Sequence, residues 1–229
     1  MGILIILLEL VFLYVLSRRM TQNIYTAVFL LTKSRTVGVS LLSILFFPGT
    51  VIHELAHMFV AEILGVHTSG LTLSPEGLEN PNVRTGSVSI AQSDPFRRAI
   101  IGIAPIFVGL AALGTISYFI PQEANWIRFG LGYLLFAVSN TMFSSPEDME
   151  GFWPVAIVVT LVGAALYFIG IRINLTDTLS ATTQNFFTAF AVNLGWIVAL
   201  NVGLFILSRL LITLIERLTH RRLVRKAQP

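Results

Sequence analysis

His53-Glu54-Leu55-Ala56-His57 follows the uncharged run Val37-Gly38-Val39-Ser40-Leu41-Leu42-Ser43-Ile44-Leu45-Phe46-Phe47 and leads into Met58-Phe59-Val60-Ala61. Three ionisable side chains in five positions therefore sit inside an apolar segment. On a helix, positions i and i+4 lie about 40° apart on one face, so both imidazoles can reach one metal ion. Glu54, beside the first histidine, can contact a water on that ion without being a ligand. The pattern H-E-x-x-H thus offers two zinc ligands, His53 and His57, and a general base, Glu54. A chance match to three fixed positions is the competing explanation, and such matches fall mostly on exposed polar helices. An ionisable group at membrane depth costs roughly 2.5–3.5 kcal/mol on insertion scales. Three together call for a metal ion or a water-filled cavity.

The surrounding composition sets the class. The chain has 229 residues, 55% of them hydrophobic and 12% charged, where soluble domains carry about 25% charged residues. It therefore reads as an all-α membrane protein, a single integral membrane domain over 1–229 with no room for a separate soluble domain. There is no cysteine, which excludes disulfides, thiolate zinc sites and cysteine nucleophiles. The net charge is +3. Arg217, Arg221, Arg222, Arg225 and Lys226 crowd the C-terminal tail, 209–229, as a cytoplasmic anchor beside anionic lipid would. The lipid bilayer is thus an expected partner and nucleic acid is not; the expected location is the cell membrane, multi-pass, with a cytoplasmic C-terminus.

Spans need about 20 mostly apolar residues. Hydropathy predicts a polytopic bundle of about six transmembrane helices, near 3–17, 37–64, 98–120, 126–143, 152–171 and 186–208. Residues 3–17 lack the basic flank and cleavage site of a signal peptide and read as a retained helix. Glu9 within it is read as structurally accommodated. Residues 20–33 read as an interfacial helix. Pro48-Gly49 predicts a kink or broken turn just before the motif. Between the second and third spans, alternation in 66–73 and 84–91, across Ser74-Pro75-Glu76-Gly77 and Asn80-Pro81-Asn82, predicts a β-hairpin with a long loop. Six crossings put this hairpin, the 144–151 loop and the tail on one side, with Arg84, Arg97 and Arg98 in agreement. Arg18, Arg19, Lys33 and Arg35 conflict with that arrangement. Asn193, Gly195, Asn201 and Gly203 in the last span read as helix-packing residues.

A catalytic zinc site normally takes a third protein ligand. His220 lies in the basic tail, His67 is expected to face solvent, and Asp94-Pro95 looks like a helix start. The one acidic cluster is Ser144-Ser145-Pro146-Glu147-Asp148-Met149-Glu150-Gly151. Asp148 is taken as the ligand, with Glu147 and Glu150 as alternatives. The same stretch also reads as a plain helix N-terminus, with Ser145 as cap, Pro146 at N1 and acids favoured by the dipole.

The run Phe47-Pro48-Gly49-Thr50-Val51-Ile52 with the motif that follows resembles the motif helix of site-2-protease-type intramembrane zinc metalloproteases. The hairpin after that helix, Ile101-Gly102-Ile103-Ala104-Pro105 and a later acidic motif resemble the family in the same order. The resemblance covers about 36–151. By position it implies Asn140, Pro146 and Asp148 as the matching residues, with Asp148 as third zinc ligand. Asp148-Met149-Glu150-Gly151 stands where the family has Asp-Gly, and Ala104-Pro105 where it has Gly-Pro, which places the chain in a divergent branch.

The resulting expectation is a zinc endopeptidase that cleaves transmembrane proteins or peptides, the substrate class the family implies. Zn²⁺ is the cofactor, held by His53, His57 and Asp148, and Glu54 is the base. An unwound substrate can add as a strand along Val88 and Ile90, and Asn140 can hydrogen-bond it or serve helix packing. The alternatives are a non-proteolytic membrane protein with a structural or metal-handling site, and a metal transporter. A structural site needs no general base, so the intact Glu54 favours the enzyme.

Overall fold

The computed structural model describes residues 2–73, 86–120, 124–143, 148, 152–170 and 181–219. These form six helices and a two-stranded antiparallel sheet. The predicted loop turns at 74–77 and 80–82, together with Pro146, Glu147, Glu150 and His220, lie outside the described residues.

Helix α1 spans Gly2–Thr32 without interruption. A short membrane helix followed by a separate interfacial one, as the sequence predicts, is therefore not what forms. No proline or glycine stands between Leu16 and Thr32 to break the helix, and its polar middle finds partners within itself. Ser17 and Thr21 donate to the carbonyls of Tyr14 and Ser17, each at 3.0 Å, and the Arg18 guanidinium lies 4.8 Å from the Tyr14 ring centroid. The chain turns at Lys33, in the left-handed region at φ 57°. Ser34 then caps the next helix by accepting from the Val37 N–H at 3.3 Å.

Helix α2, Arg35–Ile63, carries the motif and runs through Pro48 unbroken. Gly49 is there for packing: a Cβ on it would fall 2.5 Å from the Ala137 carbonyl oxygen. Gly65, at φ 68°, ends the helix in the left-handed conformation that glycine adopts without steric cost. Strands β1, Thr68–Thr72, and β2, Ser87–Ile90, pair Thr68 with Ile90, Ser69 with Ser89, Leu71 with Val88 and Thr72 with Ser87. The register shifts between Ser69 and Leu71, where Gly70 has φ 67°, the conformation of a glycine bulge. The hairpin follows the alternation in the sequence; the bulge was not read from it.

Helix α3, Pro95–Phe119, begins at Asp94, which accepts from the N–H groups of Phe96 (3.1 Å) and Arg97 (3.0 Å). Helices α4, Asn125–Thr141, α5, Phe152–Phe168, and α6, Ala181–Thr219, complete the chain. Among the described residues, three stretches are long and apolar enough to cross a membrane: Arg35–Ile63, Pro95–Phe119 and Phe187–Leu218. Helices α4 and α5 are 17 residues each, and the apolar part of α1 is interrupted by Glu9, Arg18 and Arg19.

The core joins α1, α3, α4 and α6 through Leu13, Leu113, Leu135, Val138, Met142 and Leu194. The outside is also apolar. Ile44, Phe59, Phe107, Phe129 and Trp196 are between 64 and 81% exposed, a surface suited to lipid rather than water.

Helix directions correct the predicted sidedness. Asn23 donates to Ser208 at 3.1 Å, and a Cβ on Gly195 would lie 3.1 Å from Glu9 Oε1. Both contacts require α1 and α6 to run parallel. Tyr25 packs on Gly38, and Tyr133 donates to the Leu45 carbonyl at 2.9 Å, so α2 runs against α1 and along α4. The C-terminal end of α6 thus lies with Lys33 and Arg35, opposite the hairpin and Asp148. Co-location of tail and hairpin was a consequence of counting six alternating crossings. With α6 parallel to α1, Lys33 and Arg35 share an end of the bundle with Arg217 of α6.

Candidate metal centre

The site is built where the second half of α2 meets the first turns of α3. His53 and His57, one helical turn apart, direct their Nε2 atoms at each other across 3.2 Å, with the rings nearly perpendicular at 83°. Asp148 reaches both from a turn between α4 and α5. Its Oδ2 is 3.7 Å from His53 Nε2, and its Oδ1 is 3.6 Å from His57 Nε2. The three side chains are 12%, 5% and 25% exposed respectively. The ligand atoms of His53, His57 and Asp148 all lie within 4.8 Å of one another, a group that can hold a metal ion.

The donor chemistry fits that role. Ligands about 2.0–2.1 Å from a tetrahedral ion stand about 3.3 Å from each other, close to the 3.2 Å between the two imidazole nitrogens. The His57 Nδ1–H donates to the Ile101 carbonyl at 2.8 Å, so in the neutral ring, the form that binds a metal, the lone pair lies on Nε2. His53 Nδ1 is buried and has no hydrogen-bond partner among the described residues. Burial pushes the Asp148 carboxyl up. Hydrogen bonding and charge attraction from His53 and His57 outweigh it and hold the carboxyl well below the usual carboxylate range. An ionised carboxylate facing two ring nitrogens is an arrangement completed by a cation.

Asp148 sits in a turn and α5 begins only at Phe152. Of the helix N-terminus also read here, Asp148 itself lies in a turn, and Ser145 and Pro146 lie outside the described residues. The Asp148 carboxylate is turned toward the imidazoles rather than along a helix axis. What brings it there is Gly102. A Cβ at that position would collide with the Asp148 carbonyl oxygen, so the missing side chain lets the turn lie against α3.

Glu54 is buried, at 7% exposure, and faces the hairpin side of α2. Gly86, just before β2, packs against it: a Cβ there would lie 3.1 Å from Glu54 Oε1 and 2.9 Å from Thr50 Cγ2. The Thr50 hydroxyl, one turn before Glu54, is buried without a partner among the described residues. Val88 is half-buried and Ile90 exposed on β2, which has one strand neighbour, β1, among the described residues.

Asn140 lies in a different polar cluster, between α4 and α6. Its Nδ2 donates to the Phe136 carbonyl and to Asn201 Oδ1, both at 2.7 Å, while its Oδ1 is buried without a partner among the described residues. His67 is exposed, and Asp94 is occupied as a helix cap. Sequence reasoning gave no role to Gly86, Gly102, Thr50 or the Ile101 carbonyl, although Thr50 and Ile101-Gly102 stand in the stretches that carry the family resemblance. The available signal was weak, since a glycine or a backbone carbonyl carries no chemical label of its own. Comparison with protein-family models, curated proteins and solved structures found no match for the chain.

Proposed function

We propose that this chain is an intramembrane zinc endopeptidase of the site-2-protease type, acting on transmembrane proteins or peptides. The observation that carries the reading is the convergence of His53, His57 and Asp148 on one point in an apolar helix bundle, with Glu54 next to the first ligand. Two imidazoles and one carboxylate without sulfur suit zinc. The ion would supply the Lewis acidity that polarises a peptide carbonyl and acidifies an attacking water. Glu54 takes the proton from that water and returns it to the leaving amine. Its burial beside Gly86 limits bulk solvent around that exchange. A metal site kept for structure alone would have no use for the carboxylate.

A peptide bond in a helix is shielded by its own hydrogen bonds, so the substrate must enter extended. The second edge of β2, along Val88 and Ile90, offers the backbone groups for such a strand. Gly86 leaves room where that strand approaches Glu54. The open carbonyl oxygen of Asn140 can accept from substrate. The protein is read as a multi-pass component of the cell membrane. Lys33, Arg35, Arg209 and Arg217 toward one end support a cytoplasmic C-terminal end.

The test is cleavage of a reporter membrane peptide with zinc content measured alongside. Glu54→Gln keeps the volume of the side chain but cannot accept the proton. Cleavage should be lost while folding and zinc are retained. Turnover near the wild-type rate would remove Glu54 as the base, and a zinc-loaded wild type that cuts no membrane peptide would point to a non-proteolytic metal protein.

A further inference from the structure

Helix α3 contains an interior proline, Pro105, less than 2% exposed. An interior proline destabilises a helix, because it lacks the N–H that would bond to the carbonyl four residues back. Here that carbonyl belongs to Ile101, itself 2% exposed and so out of reach of water. It is the same carbonyl that accepts the His57 Nδ1–H at 2.8 Å. The helix defect and the ligand's hydrogen bond therefore meet at one oxygen atom.

We propose that Pro105 is a positioning residue for the metal centre. By withholding a backbone N–H it keeps the Ile101 carbonyl open for His57. With a normal residue at 105, the helical N–H would lie along the axis of α3 and compete for the oxygen. His57 would then lose the contact that fixes its tautomer and turns Nε2 toward His53 and Asp148. Outer partners of this kind set ring orientation and ligand basicity in metal sites. The adjacent Gly102 seats the Asp148 turn, so one stretch of α3 orients one ligand and admits another. The inference rests on the metal-binding part of the functional reading and not on proteolysis.

Two variants separate the missing donor from the shape of the proline ring. Pro105→Ala restores the N–H and removes the ring. Incorporating the α-hydroxy acid analogue of alanine at the same position removes the ring but supplies no N–H. The first readout, taken on metal-free full-length protein in detergent, is the ¹⁵N and ¹H imidazole spectrum of His57. A hydrogen-bonded Nδ1–H is expected in the wild type and the ester variant and should be lost in Pro105→Ala. The second is Zn²⁺ affinity by competition with a chelator. Pro105→Ala should bind about tenfold more weakly or worse, and the ester variant should match the wild type. Equal weakening in both variants would assign the effect to ring packing and overturn the proposal, as would unchanged affinity in Pro105→Ala. Absence of Zn²⁺ binding in all three proteins, the wild type included, would show that the metal reading itself had failed and would overturn the proposal with it.

Discussion

Two polar clusters lie inside this apolar bundle, and they are satisfied in opposite ways. Between α4 and α6, Asn201 donates to Ser139 at 3.1 Å and to the Ile197 carbonyl at 3.0 Å, and it accepts from Asn140. Neutral amides and hydroxyls can answer one another, because each carries both donors and acceptors. The cluster joining α2, α3 and the Asp148 turn cannot close in that way. Its imidazole nitrogens and carboxylate oxygens converge on one point instead, as a set of metal ligands does. The comparison shows why polarity within a membrane-spanning region does not by itself mark chemistry. What marks it is a set of metal-ligating atoms brought to one point.

The sharpest way to break this contrast is to remove the ligands. The His53→Ala/His57→Ala double variant should lose stoichiometric zinc while the amide cluster still holds the bundle together, as measured by metal analysis on folded protein. Zinc retained in that variant would move the site elsewhere in the chain.

Asp148→Asn comes next. A neutral amide oxygen replaces an anionic donor, so zinc affinity should fall by more than the roughly 10–100-fold that loss of an outer partner brings. Glu147→Gln and Glu150→Gln should be mild. A tight-binding Asp148→Asn protein beside a zinc-poor Glu147→Gln protein would transfer the ligand role to Glu147.

A smaller effect is expected at the hairpin. Val88→Pro or Ile90→Pro removes a backbone donor from β2, and Gly86→Val pushes a side chain against Glu54. All three should lower cleavage with zinc content unchanged. Normal kinetics in every one of them would reduce the hairpin to a passive connection.

The smallest change belongs to the amide cluster. Asn201→Ala removes two hydrogen bonds to α4 and, at about 0.6 kcal/mol for each bond between membrane helices, should cost roughly 1 kcal/mol. Zinc affinity should not move, and a large loss of zinc would show that the two clusters are coupled.

Much of this was legible before any fold was known, where the interactions are local. The pairing of His53 with His57 follows from helical spacing, the Asp94 cap from its neighbours, and the hairpin from alternation. Errors arose where the outcome depended on contacts between distant segments. Helix α1 was divided at its polar middle, since hydropathy cannot show that Ser17 and Thr21 bond to their own helix and that Asn23 meets Ser208. Alternating spans place the C-terminal end beside the hairpin, whereas the parallel packing of α1 with α6 puts the described end of α6 opposite it.

By itself the sequence determined the apolar class of the protein, the motif on its helix and the short set of carboxylates eligible to join it. These follow from residue chemistry and from backbone periods of a few residues. Only the tertiary structure decided that Asp148 lies in a turn facing both imidazoles, that Gly86 and Gly102 permit close approach to Glu54 and Asp148, and that the Ile101 carbonyl accepts from His57. Each of these is a matter of close approach between segments far apart in the chain, and such distances are set by packing that no local pattern encodes.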